Sequence, residues 1–248
     1  MASATLPSAE TPERGNSLGR IFGVLFDPKG TFQSIVRRPT WLAPILVLTV
    51  ISLGMNSMLA IRVDWRAYLE NQLERTGRLD RIPKEQRQQT LTAAAIAQKY
   101  TMYFRGATGD IVLALFASAI YLGLFNLLVG AELKFKTVLS IVSYTMMPTA
   151  LKEILGIVIL FFKVPGTVNP INFIASSVGA FLSNDSPTWL LTLGVTIDVF
   201  AYWTMILAVI GLHAANPKKI KIGTAAAVVI GLYLFFVALA VGLTAVFT

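Results

Sequence analysis

The 248 residues are 55% hydrophobic and only 14% charged, yet 21 Lys and Arg against 13 Asp and Glu leave a formal net charge of +8. With a mean hydropathy of +0.67, this balance excludes a disordered tail protein, a nucleic-acid-binding basic domain and an ordinary cytosolic enzyme. The apolar residues fall in long uninterrupted blocks, so the expected fold class is all-α, a polytopic membrane bundle.

Residues 1–17 are small and polar and are expected to be a disordered tail. Glu10 and Glu13 lie in it and no apolar core does, so no signal peptide is expected. The first apolar block should therefore remain as a signal anchor. A membrane domain is expected over 18–247. It opens with Leu18, Ile21, Phe22 and Leu25 on one helical face. Asp27-Pro28-Lys29-Gly30 reads as a turn. Thr31 is the expected cap of a second short helix carrying Phe32, Ile35 and Val36, with Arg37 and Arg38 beside them. Both short helices suit the membrane interface, with Phe22, Phe32, Arg37, Arg38 and Trp41 as interfacial residues. A packed lead-in to the first span and a lipid-sensing role are both open for them.

Five blocks are long enough to cross about 30 Å of hydrocarbon, which takes about 20 helical residues: 41–61, 111–131, 137–162, 189–212 and 222–247. The third contains Pro148, Lys152 and Glu153, and splitting it at Pro148 would leave two pieces too short to span, so one kinked helix is expected. The fourth contains one charge, Asp198. Trp41, Trp65 and Trp189 stand at block edges, where aromatic belts belong.

Between the first two spans, residues 62–110 form a hydrophilic insertion. Trp65, Tyr68, Leu69 and Leu73 keep helical spacing before Gly77. After Pro83, Ala93, Ile96, Tyr100 and Tyr103 recur on one face. A helical hairpin over the mouth of the bundle is expected. With five spans, the N-terminal segment and the second and fourth connections share one side and hold ten basic residues. Lys163 alone occupies the short connection opposite. This places the N-terminus inside and the C-terminus outside, against the nine basic residues of the insertion.

Ionisable groups inside spans are the first place to look for function. At about 1.5 Å per residue, Lys152 and Asp198 lie at similar depth on adjacent antiparallel helices, so an ion pair is expected. Glu153 would point about 100° away, toward a polar cavity or the carbonyl freed by Pro148. One level of charge, with no inverted repeat and no second interrupted span visible, favours a structural lock over a transport path. On the fifth span Gly223, Ala227, Gly231, Ala238 and Gly242 form a small-residue packing stripe. Packing within the chain is the favoured use of it, and a dimer is the other. Asn184-Asp185-Ser186 matches a glycosylation sequon and reads as chance, with Pro187 following.

There is no cysteine, and the one histidine, His213, cannot form a metal cluster or a Ser-His-Asp triad alone. No phosphate-binding loop or nucleophile elbow is found. No catalytic residue, cofactor or metal is therefore expected, and no nucleic-acid partner. The lipid bilayer is the expected partner, with a membrane protein or a second copy also open.

Three segments resemble bacterial members of the Yip family of Rab/Ypt-interacting-like membrane proteins. They are LFDPKGTFQSIVRRPTW (25–41), Ser143-Tyr144 with Pro148, and IDVFAYWTMILAVIGL (197–212) with the lysine cluster after it. The resemblance spans about 18–247. It implies five spans, a cytosolic N-terminus and a non-enzymatic organising or trafficking-type role, here in a bacterial inner membrane. It transfers no catalytic residue, and Tyr144, Pro148 and Asp198 match at positions whose role there is structural. The short tail and the long insertion depart from eukaryotic relatives, which makes GTPase binding doubtful. A small transporter or channel using Lys152, Glu153 and Asp198 is the alternative.

Overall fold

The computed structural model describes residues 16–171, 173–183 and 186–247. The first helix, α1 (Ser17–Phe26), starts where the Asn16 side chain accepts from the Leu18 N–H at 3.3 Å. Residues 1–15 of the expected tail lie outside the described residues, and Ser17 is already helical. Asp27 ends α1 and caps α2 (Pro28–Arg37), accepting from the Gly30 N–H at 3.3 Å. Pro28 fits here because a first-turn N–H has no intrahelical acceptor. The expected turn at 27–30 is therefore the first turn of a helix, and Asp27 rather than Thr31 is its cap.

The two short helices differ in what they face. Leu18, Phe22 and Phe26 form an exposed stripe on α1, while Ile21 and Val24 are buried. Arg37, Arg38 and Trp41 are exposed. Phe32 is not: it is 0% exposed. It seats against Gly211 so closely that a Cβ there would lie 2.9 Å from its ring. The face of α2 that looked suited to lipid is instead buried against two helices described below.

The first span is α3 (Leu42–Arg62). The insertion follows with α4 (Trp65–Arg75), capped by Asp64 accepting from Ala67 N at 3.0 Å, and a 3-10 turn at Leu79–Arg81. Its second limb is not a separate helix. From Lys84 one helix, α5 (Lys84–Val129), runs 46 residues into the second span. At ~1.5 Å per residue it is about 69 Å long, more than twice the hydrocarbon thickness, so much of it stands outside.

The buried positions of its outer part are Leu91, Ala95, Met102 and Gly106. Ala93, Ile96, Tyr100 and Tyr103, which share a face by spacing, point away and are exposed. The side turned inward is selected by α3: a Cβ on Gly106 would lie 2.9 Å from Leu53 Cα and from Ser52 O. Trp65 does not join a belt. It is buried, edge-on to Tyr68 at 5.8 Å, in a cluster with Leu160, Met102 and Val168. Trp41 and Trp189 are exposed at 37% and 41%.

The third block folds as α6 (Phe135–Thr145) and α7 (Met147–Phe162), joined at Met146. Pro148 lies in the first turn of α7, where its missing N–H leaves no bond unmade. The pair runs on as one apolar stretch of 28 residues.

The fourth block departs most from expectation. It breaks into α8 (Thr188–Thr196) and α9 (Val199–Ala215), of 9 and 17 residues. Among the described residues, four helices are long and apolar enough to span: Leu42–Arg62, Lys84–Val129, Phe135–Phe162 and Ile222–Val246. The fourth span, counted at 189–212, is thus an interrupted element. The last helix, α10 (Ile222–Phe247), packs on α8 and α9, and its Ala225 and Val229 are buried in the core that α9 shares. Gly223, Gly231 and Gly242 have nothing within 4 Å of an added Cβ, so these stripe glycines face away from the chain rather than into it.

The main core gathers α1–α3, α5–α7, α9 and the start of α10 around Phe125, Leu48, Tyr144, Leu207 and Leu212. Phe32 seats there between α9 and α6. Lipid tails are as apolar as leucine, so close packing and internal hydrogen bonds must hold the spans together.

Candidate functional site: the intramembrane polar groups

Asp198 begins α9. Its backbone is extended, at φ −128° and ψ 134°, and its Oδ1 accepts from the N–H groups of Phe200 at 2.9 Å and Ala201 at 3.2 Å. Oδ2 accepts from Lys152 Nζ at 2.8 Å and from Ser176 Oγ at 2.5 Å. Those four donors match the roughly four lone-pair sites of a carboxylate. Asp198 is 3% exposed, so its charge is compensated entirely by protein.

The break itself is also satisfied. Ile197 O accepts from Val178 N and Ser176 O from Val199 N, both at 3.1 Å, making one antiparallel bridge between the chain before α8 and the helix gap. Gly179 and Gly194 touch backbone to backbone beside it. Tyr233 of α10 donates to Thr196 O, holding the last turn of α8. Non-helical backbone at membrane depth is tolerated where protein satisfies it, and that condition is met here.

One residue along α7, Glu153 takes a different partner. Ser52 Oγ of α3 lies 2.6 Å from Glu153 Oε2 and 2.5 Å from Asp110 Oδ2 of α5. Asn56 donates to Ser52 O at 2.8 Å one turn away. Among the described residues Glu153 thus has Ser52 as its hydrogen-bond partner, not a carbonyl freed by Pro148. It ties α7 to α3 and α5, while Lys152 ties α7 to α9. Lys152 and Glu153 lie side by side on α7 and lock it in two directions.

Ser52, Asp110 and Ser176 belong to this group and are not evident from charge alone. Ser52 sits in an uncharged block, and Asp110 closes a hydrophilic segment. The signal available was the four-residue step from Gly106 to Asp110, which puts a close-approach site and an acid on one helix face.

At the opposite end of the bundle a second polar set joins two connections. Lys219 Nζ donates to Glu132 Oε1 and Gly130 O, both at 2.7 Å, and Asn216 donates to Ala131 O at 3.0 Å. The hydrogen bond from Lys219 holds the Glu132 carboxyl below its ordinary value. On α4, burial pushes the Tyr68 phenol up, opposed by its hydrogen bond from Gln72. A cavity of about 710 Å³ opens between α4, the 166–171 loop and α8, with Asp64, Tyr68, Arg75 and Thr192 in its walls. No group of three or more His, Cys, Asp or Glu suited to a metal occurs among the described residues. Asn184 and Asp185 of the sequon lie outside them.

Helices of this length and apolarity, closed around paired charges, define a polytopic helical membrane protein. Residues 22–243 match the Yip1 domain, and the chain belongs to that family. It is 25% identical over 213 residues to "Membrane protein YknW" of Bacillus subtilis (strain 168), covering 85% of this chain and 84% of that one. No solved structure matches.

Proposed function

We propose that this chain is a non-enzymatic membrane organiser, a trafficking-type scaffold acting through protein or lipid partners in a bacterial inner membrane. Its N-terminus is cytoplasmic and its C-terminus outside. The observation that carries this reading is the saturation of Asp198: with all four acceptor sites filled, the deepest charge locks helices and is not open to a passing ion. The outward-facing glycines of α10 support it further, since small residues let a second membrane helix approach closely. The test is in-membrane cross-linking from α10 positions. A recurrent cross-linked partner or second copy, lost on Gly231→Leu, is expected; no cross-link from any α10 face sinks the reading. Orientation is tested in the cysteine-free chain. Asp80→Cys should label from outside and Lys218→Cys should not, and the reverse pattern overturns it.

A second reading is transport through Lys152, Glu153 and Asp198. The interruption between α8 and α9 favours it, because broken helices near the midplane are where secondary transporters bind ions. Flux in proteoliposomes separates the two. A proton or ion flux that Asp198→Asn abolishes without loss of insertion would establish transport and remove the scaffold.

A further inference from the structure

Arg20 of α1 is a cation taken out of water, 4% exposed. Its Nη1 donates to Arg38 O at 2.9 Å and Thr40 Oγ1 at 3.1 Å, and its Nη2 to Ser34 O at 3.2 Å. All three acceptors are neutral, and its buried Nε has no partner among the described residues. The described ion pairs do not include it. A buried charge whose hydrogen bonds are neutral still lacks a counter-charge, which is costly in a low-dielectric setting.

Thr40, the one side chain that accepts from Arg20, also lines a groove of about 460 Å³ with Ser17, Trp41, Leu42, Leu46 and Lys136. Lys136 is exposed at its rim. Leu42 and Leu46 are 55% and 54% exposed, one helical turn apart on the membrane-facing start of α3. One end of the groove thus offers an ammonium and two hydroxyls with a guanidinium behind them, and the other offers bare apolar side chains. In sequence, Arg37 and Arg38 lie just before Thr40, and Lys134 lies just before Lys136. The one acid from residue 16 to residue 62 is Asp27, which is engaged in capping α2.

We propose that this groove binds one anionic phospholipid, its phosphate against Thr40 and Lys136 and an acyl chain along Leu42 and Leu46. The phosphate supplies the counter-charge that Arg20 lacks among the described residues, relayed through the Thr40 hydroxyl. A zwitterionic lipid brings an ammonium of its own, which leaves the net charge of the site uncompensated. This inference needs only a membrane-embedded chain and is independent of both readings of function above.

The test uses the full-length protein purified in neutral detergent, titrated with phosphatidylglycerol or phosphatidylcholine of identical acyl chains and followed by native mass spectrometry and thermal unfolding. Phosphatidylglycerol should remain bound and raise Tm, and phosphatidylcholine should not. Removing one basic group at a membrane surface site should weaken binding about fivefold, so Lys136→Ala lowers phosphatidylglycerol affinity by that factor. Lys218→Ala, on the α9–α10 connection, should leave it unchanged. Lys136 is exposed, so its variant should unfold normally without lipid, whereas Arg20 variants need not fold. Millimolar inorganic phosphate should not displace the lipid. Equal binding of the two lipids, or equal effects of Lys136→Ala and Lys218→Ala, overturns the proposal; displacement by phosphate alone overturns the assignment to lipid.

Discussion

Lys152 and Asp198 are 46 residues apart in sequence and 2.8 Å apart in space, and their contact joins the middle of one helix to the N-cap of another. Asp198 serves as cap and counter-ion together, and the two roles reinforce each other. The N-cap geometry fixes the carboxylate, and Lys152 neutralises the charge that burial makes expensive. Removing either partner has unequal consequences. Asp198→Ala strips the cap, removes the acceptor of four hydrogen bonds and takes the counter-charge from Lys152, so it should destabilise the protein by about 3 kcal/mol or more. Lys152→Ala leaves the buried carboxylate with three of its donors, Ser176 Oγ and the N–H groups of Phe200 and Ala201, so it should cost less than losing the carboxylate itself. A double-mutant cycle in detergent unfolding checks this. Strictly additive losses would mean the pair is not coupled.

Ser52 stands between two acids and has one hydroxyl proton to give, so it cannot donate to Asp110 and Glu153 at once. An amide at position 153 brings N–H donors of its own. Glu153→Gln should therefore change stability by under about 1 kcal/mol, while Ser52→Ala, which leaves both acids without their shared partner, should cost about 1–3 kcal/mol. Thermal unfolding of the two variants decides it. If Glu153→Gln is as damaging as Ser52→Ala, the hydrogen-bond reading of the trio is wrong.

Glu132 and Lys219 link the α5–α6 and α9–α10 connections at the surface. The folded carboxyl lies below its ordinary value of 4.5 because Lys219 donates to it. A depressed acid contributes its stability above the unfolded value and loses it as pH falls through the folded one. Amide protection at 131–133 and 217–219, taken relative to the intrinsic exchange rate at each pH, should thus hold at neutral pH and fall below about pH 4.5. In Glu132→Gln that pH step should vanish. Persistence of the step in the variant would assign it to another group.

Much of the bundle was legible because three of the spans are long and free of charge. The expected 41–61 and 222–247 lie within one residue of Leu42–Arg62 and Ile222–Phe247. The break at Asp198 was hidden because hydropathy averages over it: Ile197 and Val199 flank it with apolar side chains. The local chemistry did carry a sign, since Val195, Thr196 and Ile197 are three β-branched residues in a row before a strong N-cap former. Phe32 misled for a different reason. An amphipathic face reports only that one side of a helix is apolar, not whether protein or lipid covers it. Asp110 was overlooked because its partner, Ser52, is neutral and 58 residues away.

Close approach at Gly106 makes a sharper test than any of the charges, since it needs one methyl group. A Cβ there would meet backbone, Leu53 Cα and Ser52 O at 2.9 Å, and backbone cannot swing aside as a side-chain tip can. Gly106→Ala should push α5 off α3 and cost about 1–3 kcal/mol by overpacking. The displacement would also stretch the Ser52–Asp110 contact one turn further along. Gly123 on the same helix has nothing within 4 Å of an added Cβ. Gly123→Ala should be neutral or stabilising by about 0.5–1 kcal/mol, since alanine is the better helix former. Comparing the Tm of the two variants removes any general effect of Gly→Ala in a long helix. Equal Tm for both would mean that α3 and α5 are not in backbone contact at this level, and the polar group above them would lose its frame.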